Sequence, residues 1–536
     1  MKRSIKLAAL YLGLAVAMVG CGSFLTGDKL TGNPNSPSQA TAEQLFVGVQ
    51  ANLFTSQENS VAMTVCEWMQ QCMGVGGRFV DAFAHYTVNE FSWDGNWFQV
   101  YTGGGLVDLR KVEATEQTAG DSVFLAVAKI WEAFDMGVAA DLWGDVPYTE
   151  AVGANPTPAL DAQASVYIAV QNLLSDAIAE LTNGKGPGPL GNDLVYGADT
   201  TLAKRTLWIK AAHTLKARFL LHTVEASATK AAVYANVITE ANSGISSTAG
   251  DLLAFHSTAV TERNIWYQFQ STTFGQDLVA GKALADIMRT RSDPRLPDYF
   301  AKNASAPWQA SHKYTPGQRI LDPNGNGEEI SAVTGDSVSR STQPSWPTGV
   351  GATTSDSNVT WTNTGLPYGG EDVNVAQPGP RVSGLSGTGR MCPAEGCGAF
   401  RQPLVTYQEN ELILAEAYNQ TSNDLLALTH LNNARAVPGL TALAGITGAA
   451  LTDSIMTEKY VTLFQNIEVW NDYRRMCIPR LTPDTTVGVN PQFRGKIPGR
   501  LFYSGSEGNV NPNIPNPGAQ LAANGFRNPN DTADCP

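Results

Sequence analysis

Charge, histidine and long apolar runs are all scarce in this 536-residue chain. Only 16% of residues are charged, against about a quarter in an average soluble domain. Gly, Ser, Thr and Asn fill the difference, which predicts a neutral-polar surface suited to hydrogen-bonding uncharged ligands such as sugars. The charge that is present is acidic, with a formal net of −13. That sign argues against nucleic acid or anionic lipid head groups as partners. Six histidines show no clustering, and the GxSxG elbow, the HExxH zinc helix and the redox CxxC are all missing, so the familiar hydrolase, zincin and thioredoxin sites have no residues to form from. GTGRMCPAEGCGAF (387–400) offers no phosphate cradle, because its glycines do not follow a strand and open a helix bearing Lys-Ser/Thr. No catalytic residue, metal ligand or cofactor is expected. After the first twenty residues no segment is apolar enough to span a bilayer.

The N-terminus is the exception. Lys2, Arg3 and Lys6 precede an apolar run over 7–19, too short for a transmembrane helix and the right size for a signal-peptide core. The run ends in MVGC, which resembles a lipobox, with Met18 where Leu is usual. Cleavage before Cys21 would leave its thiol to carry diacylglycerol, and acyl chains contribute roughly 0.8 kcal/mol per buried CH₂. The expectation is a signal peptide over 1–20, a lipidated Gly/Asn/Ser/Pro-rich tether over 21–40, and an exported protein held at the outer membrane, outward-facing with less support than outer-membrane.

With Cys21 lipidated, six cysteines remain. Cys66 and Cys72 bracket CEWMQQC, Cys392 and Cys397 bracket CPAEGC, and Cys477 and Cys535 are left over. Six cysteines permit fifteen pairings; local pairing into three bridges is the expectation in an oxidising compartment. Neither close pair has CxxC spacing and no histidine is near, which disfavours zinc.

From 41 onward the chain reads as one mainly α domain, with a helical scaffold over about 41–300 and 401–480, an irregular excursion over about 301–400, and an extended tail over about 481–536. Apolar residues at three- and four-residue spacing place Phe124, Val127, Trp131, Phe134, Val138 and Leu142 on one buried helix face. Gly144 caps that helix and Pro147 forbids its continuation. Further helices are predicted over 41–55, 162–181, 202–224, 229–242, 276–291, 407–420, 424–436 and 453–476. His213 and His222 are read as satisfied helix residues, and Asp145 as an acceptor for backbone donors in the turn.

The wording of five stretches adds a second line. ADLWGDVPYTEA (140–151), WIKAAHTLKARFLLH (208–222), ELILAEAYNQ (411–420), EKYVTLFQNIEVWNDYRR (458–475) and GRLFYSGSEGNVNPN (499–513) resemble, in order, the blocks of the SusD/RagB family of surface lipoproteins. The resemblance implies a tetratricopeptide-like superhelix of four helix pairs, no catalysis, and capture of nutrients, usually glycans, for a SusC-like TonB-dependent outer-membrane transporter. Peptide capture is the nearest alternative. A glycan hydrolase using Asp141 and Asp145 is the alternative of another class, since sequence cannot fix the carboxylate separation such an enzyme needs.

Ligand contacts are sought on aromatic, polar loops. Between 66 and 101 rings crowd among Gly, Asn and Asp, and Tyr86, Trp93 and Asn96 are expected as exposed contacts with Arg78 and Asp81 as polar neighbours. Trp266, Tyr267, Trp346 and Trp361 are further candidates. A loop as long as 301–400 is uncommon unless functional, so it is read as the ligand- and transporter-facing surface. DPNGNGEE (322–329) begins like an EF-hand loop, but its twelfth position is Val333 where that loop needs Glu, so it is read as a Gly-rich β-turn.

Overall fold

The computed structural model describes residues 40–197, 202–374, 379, 381–486 and 490–536. The expected signal peptide, Cys21 and nearly all of the tether lie outside them. Among the described residues no helix is long and apolar enough to cross a membrane.

The chain opens with α1 (Ala42–Ser56), whose Thr41 and Gln44 form a reciprocal capping box. The segment 66–101, read as aromatic loop, instead folds into short pieces: α2 (Ser60–Trp68), β1 (Cys72–Gly74), α3 (Phe79–Ala84) and α4 (Asp94–Tyr101). Then come α5 (Leu106–Ala119) and α6 (Ser122–Trp143). Asp121 starts α6 by accepting from Val123 N and Phe124 N (3.1 and 2.9 Å), and Gly144 stops it at φ +80°, as the sequence predicts. Nearly every residue of α6 is buried, because neighbours cover it on all sides.

Next in chain order are α7 (Gln163–Asn183), α8 (Leu202–Leu221) and α9 (Lys230–Asn242). After β2 (Leu252–Leu253), β3 (Leu278–Ala280) and α10 (Lys282–Thr290), the helix predicted over 276–291 proves shorter. Its first residues are taken by the antiparallel ladder of β3 with β1.

The region 301–400 is not the structureless excursion expected. It contains β4 (Arg319–Leu321), β5 (Gly327–Val333), β6 (Thr353–Asp356) and β7 (Val359–Asn363) in one antiparallel sheet of order β4-β5-β7-β6. Tyr314, Ile320, Ile330, Val359 and Trp361 form its own core, with Trp308 and Trp346 against it. The strands are short and one ladder is bulged, so no long period-2 pattern marks them. β8 (Pro403–Val405) pairs with β2, tying the end of the excursion to the segment after α9.

Four helices close the scaffold: α11 (Tyr407–Gln420), α12 (Asp424–Ala436), α13 (Gly448–Thr462) and α14 (Glu468–Met476). The single helix predicted over 453–476 breaks because Gln465 adopts φ +63° and the Asn466 side chain accepts from Glu468 N, starting a new helix. α5 packs on α6, α6 on α7, α7 on α8, α8 on α9, α9 on α11, and α11 on α12 and α13, a continuous file of neighbouring helices. The three disulfides pair as expected: Cys66–Cys72, Cys392–Cys397 and Cys477–Cys535.

Candidate ligand-binding cleft

Two places in the molecule set a histidine between two carboxylates. The first is buried in the helical body. His222, just past α8, has Nδ1 2.7 Å from Asp141 Oδ1 and Nε2 2.8 Å from Glu468 Oε1. Tyr167 donates to the same Asp141 oxygen (2.5 Å), and Arg218 pairs with Glu409 at 2.5 Å alongside. Burial alone would lower the imidazole, yet Asp141 and Glu468 raise it to about 10, so it is an imidazolium pinned on both sides. The three residues offer ligand atoms within 4.8 Å of one another; both ring nitrogens lie at ion-pair distance from a carboxylate, and the Nε2–Glu468 contact is a hydrogen bond. The reading of His222 as a satisfied helix histidine fits this. Asp145 accepts from Gln163 N (2.8 Å), while the turn's own donors, Tyr148 N and Thr149 N, go to Asp161 (2.8 and 2.9 Å).

The second histidine faces a cavity of about 370 Å³ lined by Gly77, Arg78, Asp81, Ala82, His85, Thr87, Asn374 and Thr486. Its wall is made by the turn out of β1. Gly76 and Gly77 take φ +87° and +74°, which only glycine adopts without strain, and this swings Arg78 out as the N-cap of α3. The Arg78 side chain is 42% exposed, with Nε 3.0 Å from Asp277 Oδ2 and Cζ 5.1 Å from the centre of the Phe274 ring. Phe274 is itself 42% exposed. The guanidinium covers one face of that ring, and its Nη groups make no hydrogen bond among the described residues. Asp81 accepts from Gly77 N (2.9 Å) and lies 3.3 Å from His85 Nε2, while His85 Nδ1 contacts the buried Asp484. That bond to Asp484 raises the His85 imidazole above its usual value against burial, and the two aspartate charges add to it. Behind this wall burial and the charge of Asp81 hold the Glu67 carboxyl well above the usual carboxylate range. The cleft lining therefore combines a guanidinium, a carboxylate, an imidazole, an amide and hydroxyls, with the Phe274 ring against the guanidinium, a mixture that orients polyhydroxylated or amide-bearing ligands.

Of the residues singled out from sequence, Arg78 and Asp81 line this cleft. Tyr86, Trp93, Trp266 and Trp361 do not qualify as exposed contacts, since all four are fully buried. Trp93 packs edge-on to Trp68 (5.8 Å), Tyr86 accepts from Asp484 N (3.2 Å), Trp266 sits in the main core and Trp361 Nε1 donates to Asp356 (3.0 Å). Asn96 is half-buried and bonds Asn59 (2.9 Å), tying α4 to the start of α2. Trp346 is half-buried against Trp361, with ring centres 5.8 Å apart. Tyr267 is half-buried near the Arg263 guanidinium (5.9 Å). Arg263 donates in turn to Thr258 O (3.1 Å), at the edge of a second cavity of about 560 Å³ that includes Phe255, His256, Glu395, Phe400 and Arg401. In that cavity His256 is committed to Glu58 and to Glu262 O (2.7 and 3.0 Å), and the Arg401 guanidinium lies over the Phe255 ring (5.1 Å), an arrangement like that of Arg78 on Phe274. Sequence reasoning missed Phe274, Asp277, His85, Asn374, Asp484 and Thr486. The one signal for the cleft was the GGR turn, which needs a reason to display an arginine.

A family model described as "Starch-binding associating with outer membrane" matches residues 34–343, more than half of the chain. The chain belongs to the SusD-like family. No curated protein matches it. Solved structures similar to this SusD-like chain include a chitin-binding protein (TM-score 0.66, 19% identity, covering 92% of this chain and 100% of that one). A chitin-binding SusD homolog from Flavobacterium johnsoniae is also similar (0.64, 16%, 92% and 98%), as is a SusD-like protein from Bacteroides thetaiotaomicron VPI-5482 (0.64, 17%, 92% and 97%). At these identities the likeness establishes the SusD-like fold.

Proposed function

We propose that this SusD-like protein binds oligosaccharide in the cleft lined by Arg78, Asp81, His85, Asn374 and Thr486, next to Phe274, and delivers it to a SusC-like TonB-dependent transporter, held outside the outer membrane by a lipidated Cys21. The observation that carries the ligand part is the Arg78 guanidinium with unspent donors beside an exposed ring: a sugar stacks on the ring while its hydroxyl or amide oxygens take the donors. The chitin-binding descriptions of two similar structures put oligomers of N-acetylated glucosamine first on the panel. Turnover is not part of this reading. Asp141 is enclosed with His222, and Asp145 is spent on Gln163.

Calorimetric titration of the purified chain with chito-oligosaccharides, starch fragments and short peptides tests the ligand class. Saturable binding of one glycan series is expected; binding of peptides alone, or of nothing, contradicts it. Lipidation is tested separately by acyl-chain labelling of wild type and Cys21→Ser in a lipoprotein-processing host. Label should be lost in the variant.

A further inference from the structure

The β4–β5 hairpin holds two acids on the packed face of its sheet. Ile320 pairs with Glu328 across β4 and β5, and Glu328 pairs with Asn363 across β5 and β7. Asp322, two residues beyond Ile320, is thereby the diagonal neighbour of Glu328 on the same face. Asp322, Glu328 and Asn363 are 3%, 0% and 1% exposed. Neither Glu328 carboxylate oxygen has a hydrogen-bond partner among the described residues. No Lys, Arg or His nitrogen there comes within 4.0 Å of Asp322 or Glu328. The available cations serve the other face, where Arg319 and Arg381 pair with Glu329 (3.4 and 2.7 Å). Asp322 Oδ1 accepts from Asn326 N (2.7 Å) and its Oδ2 from Asn324 Nδ2 (3.3 Å), fixing the turn, while Asn363 joins Gly365 N and Pro347 O (2.8 and 2.6 Å). Each Asp322 oxygen keeps a second lone pair.

A buried, unpaired carboxylate beside a second acid is strongly unfavourable unless it is neutralised. We propose that Asp322 and Glu328 bind a hard divalent cation of the calcium class, which ties the β4–β5 turn to the start of β5. An all-oxygen donor set without His or Cys suits such an ion, with main-chain carbonyls and water completing its six to eight ligands. The turn is not an EF-hand: the closing carboxylate comes from the adjacent strand, six residues after Asp322, instead of from the twelfth loop position.

The test is terbium luminescence sensitised by tryptophan, on the full chain stripped with EDTA. Trp361, paired with Ile330 on the same face, is the donor. Wild type is expected to give a one-to-one signal displaced by Ca²⁺, and Glu328→Gln to bind at least tenfold more weakly. Asp336→Asn, an exposed acid of the same sheet region, should bind like wild type. Should Glu328→Gln not fold, Asp322→Asn serves as the second variant, and the wild-type melting temperature, which should rise with Ca²⁺ over EDTA, as a second readout. Equal terbium signals in wild type and the Glu328 or Asp322 variant, or a melting temperature indifferent to chelation, would overturn the proposal.

Discussion

His222 and His85 share a chemistry, an imidazole between two acids, and differ in what else touches them. His222 is 4% exposed, and the residues around it come from α6, α7, α8, α14 and the C-terminal tail, where Asn530 approaches its carbonyl (3.4 Å). His85 is 14% exposed, its partners come from α3 and one loop, and it borders a cavity. The first arrangement pairs its charges across segments of chain. The second leaves charge and ring surface open to solvent. Ionisable clusters of this kind mark a binding site only where some of their capacity is unspent.

Several perturbations would sharpen or break that contrast. The largest effect belongs to His222→Ala, which strands Asp141 and Glu468 as buried carboxylates and should cost about 3–5 kcal/mol in chemical denaturation. The wild-type pH profile carries the same signature. The folded-state value of His222 is raised to about 10, so its contribution is complete below the unfolded value of about 6.5 and is lost as pH rises through 10. Glu468, raised by burial but lowered to about 2 overall by His222 and its neighbours, adds an acid limb lost as pH falls from about 4.3 through 2. Stability measured across pH should show both limbs, and His222→Gln should flatten the alkaline one.

Next comes Arg78→Ala, expected to weaken glycan binding by about ten- to a hundredfold, roughly 1.4–2.8 kcal/mol, with little change in melting temperature. Phe274→Ala should cost about tenfold, close to 1.4 kcal/mol, through loss of the stacking face. His85→Gln should have a smaller effect on affinity, while removing any fall in binding as pH rises past the raised value of His85. Arg401→Ala, in the second cavity, should change affinity by less than about twofold, within roughly 0.5 kcal/mol.

The helices were legible because their signals are local. The face of α6, the stop at Gly144, and the bounds of α11 and α12 all follow from apolar period and capping chemistry. Most of the sheet at 319–363 was not, because β4 has three residues and β6 four, too few to display a period, and β5 is bulged; VTWTN in β7 does alternate, but over five residues only. The candidate cleft was half legible. Arg78 and Asp81 lie on one turn, whereas Phe274, Asn374 and Thr486 join them only through tertiary packing. The aromatic guesses failed for a physical reason: Tyr86, Trp93, Trp266 and Trp361 have large apolar bodies, and packing claims such residues ahead of ligands unless the backbone holds them out.

The most direct test is the ratio of oligosaccharide affinities between wild type and Arg78→Ala, measured by calorimetry on the best-bound glycan with folding verified by melting. A loss of tenfold or more places the ligand beside Phe274. Equal affinity in two equally stable proteins would put it elsewhere and contradict the account.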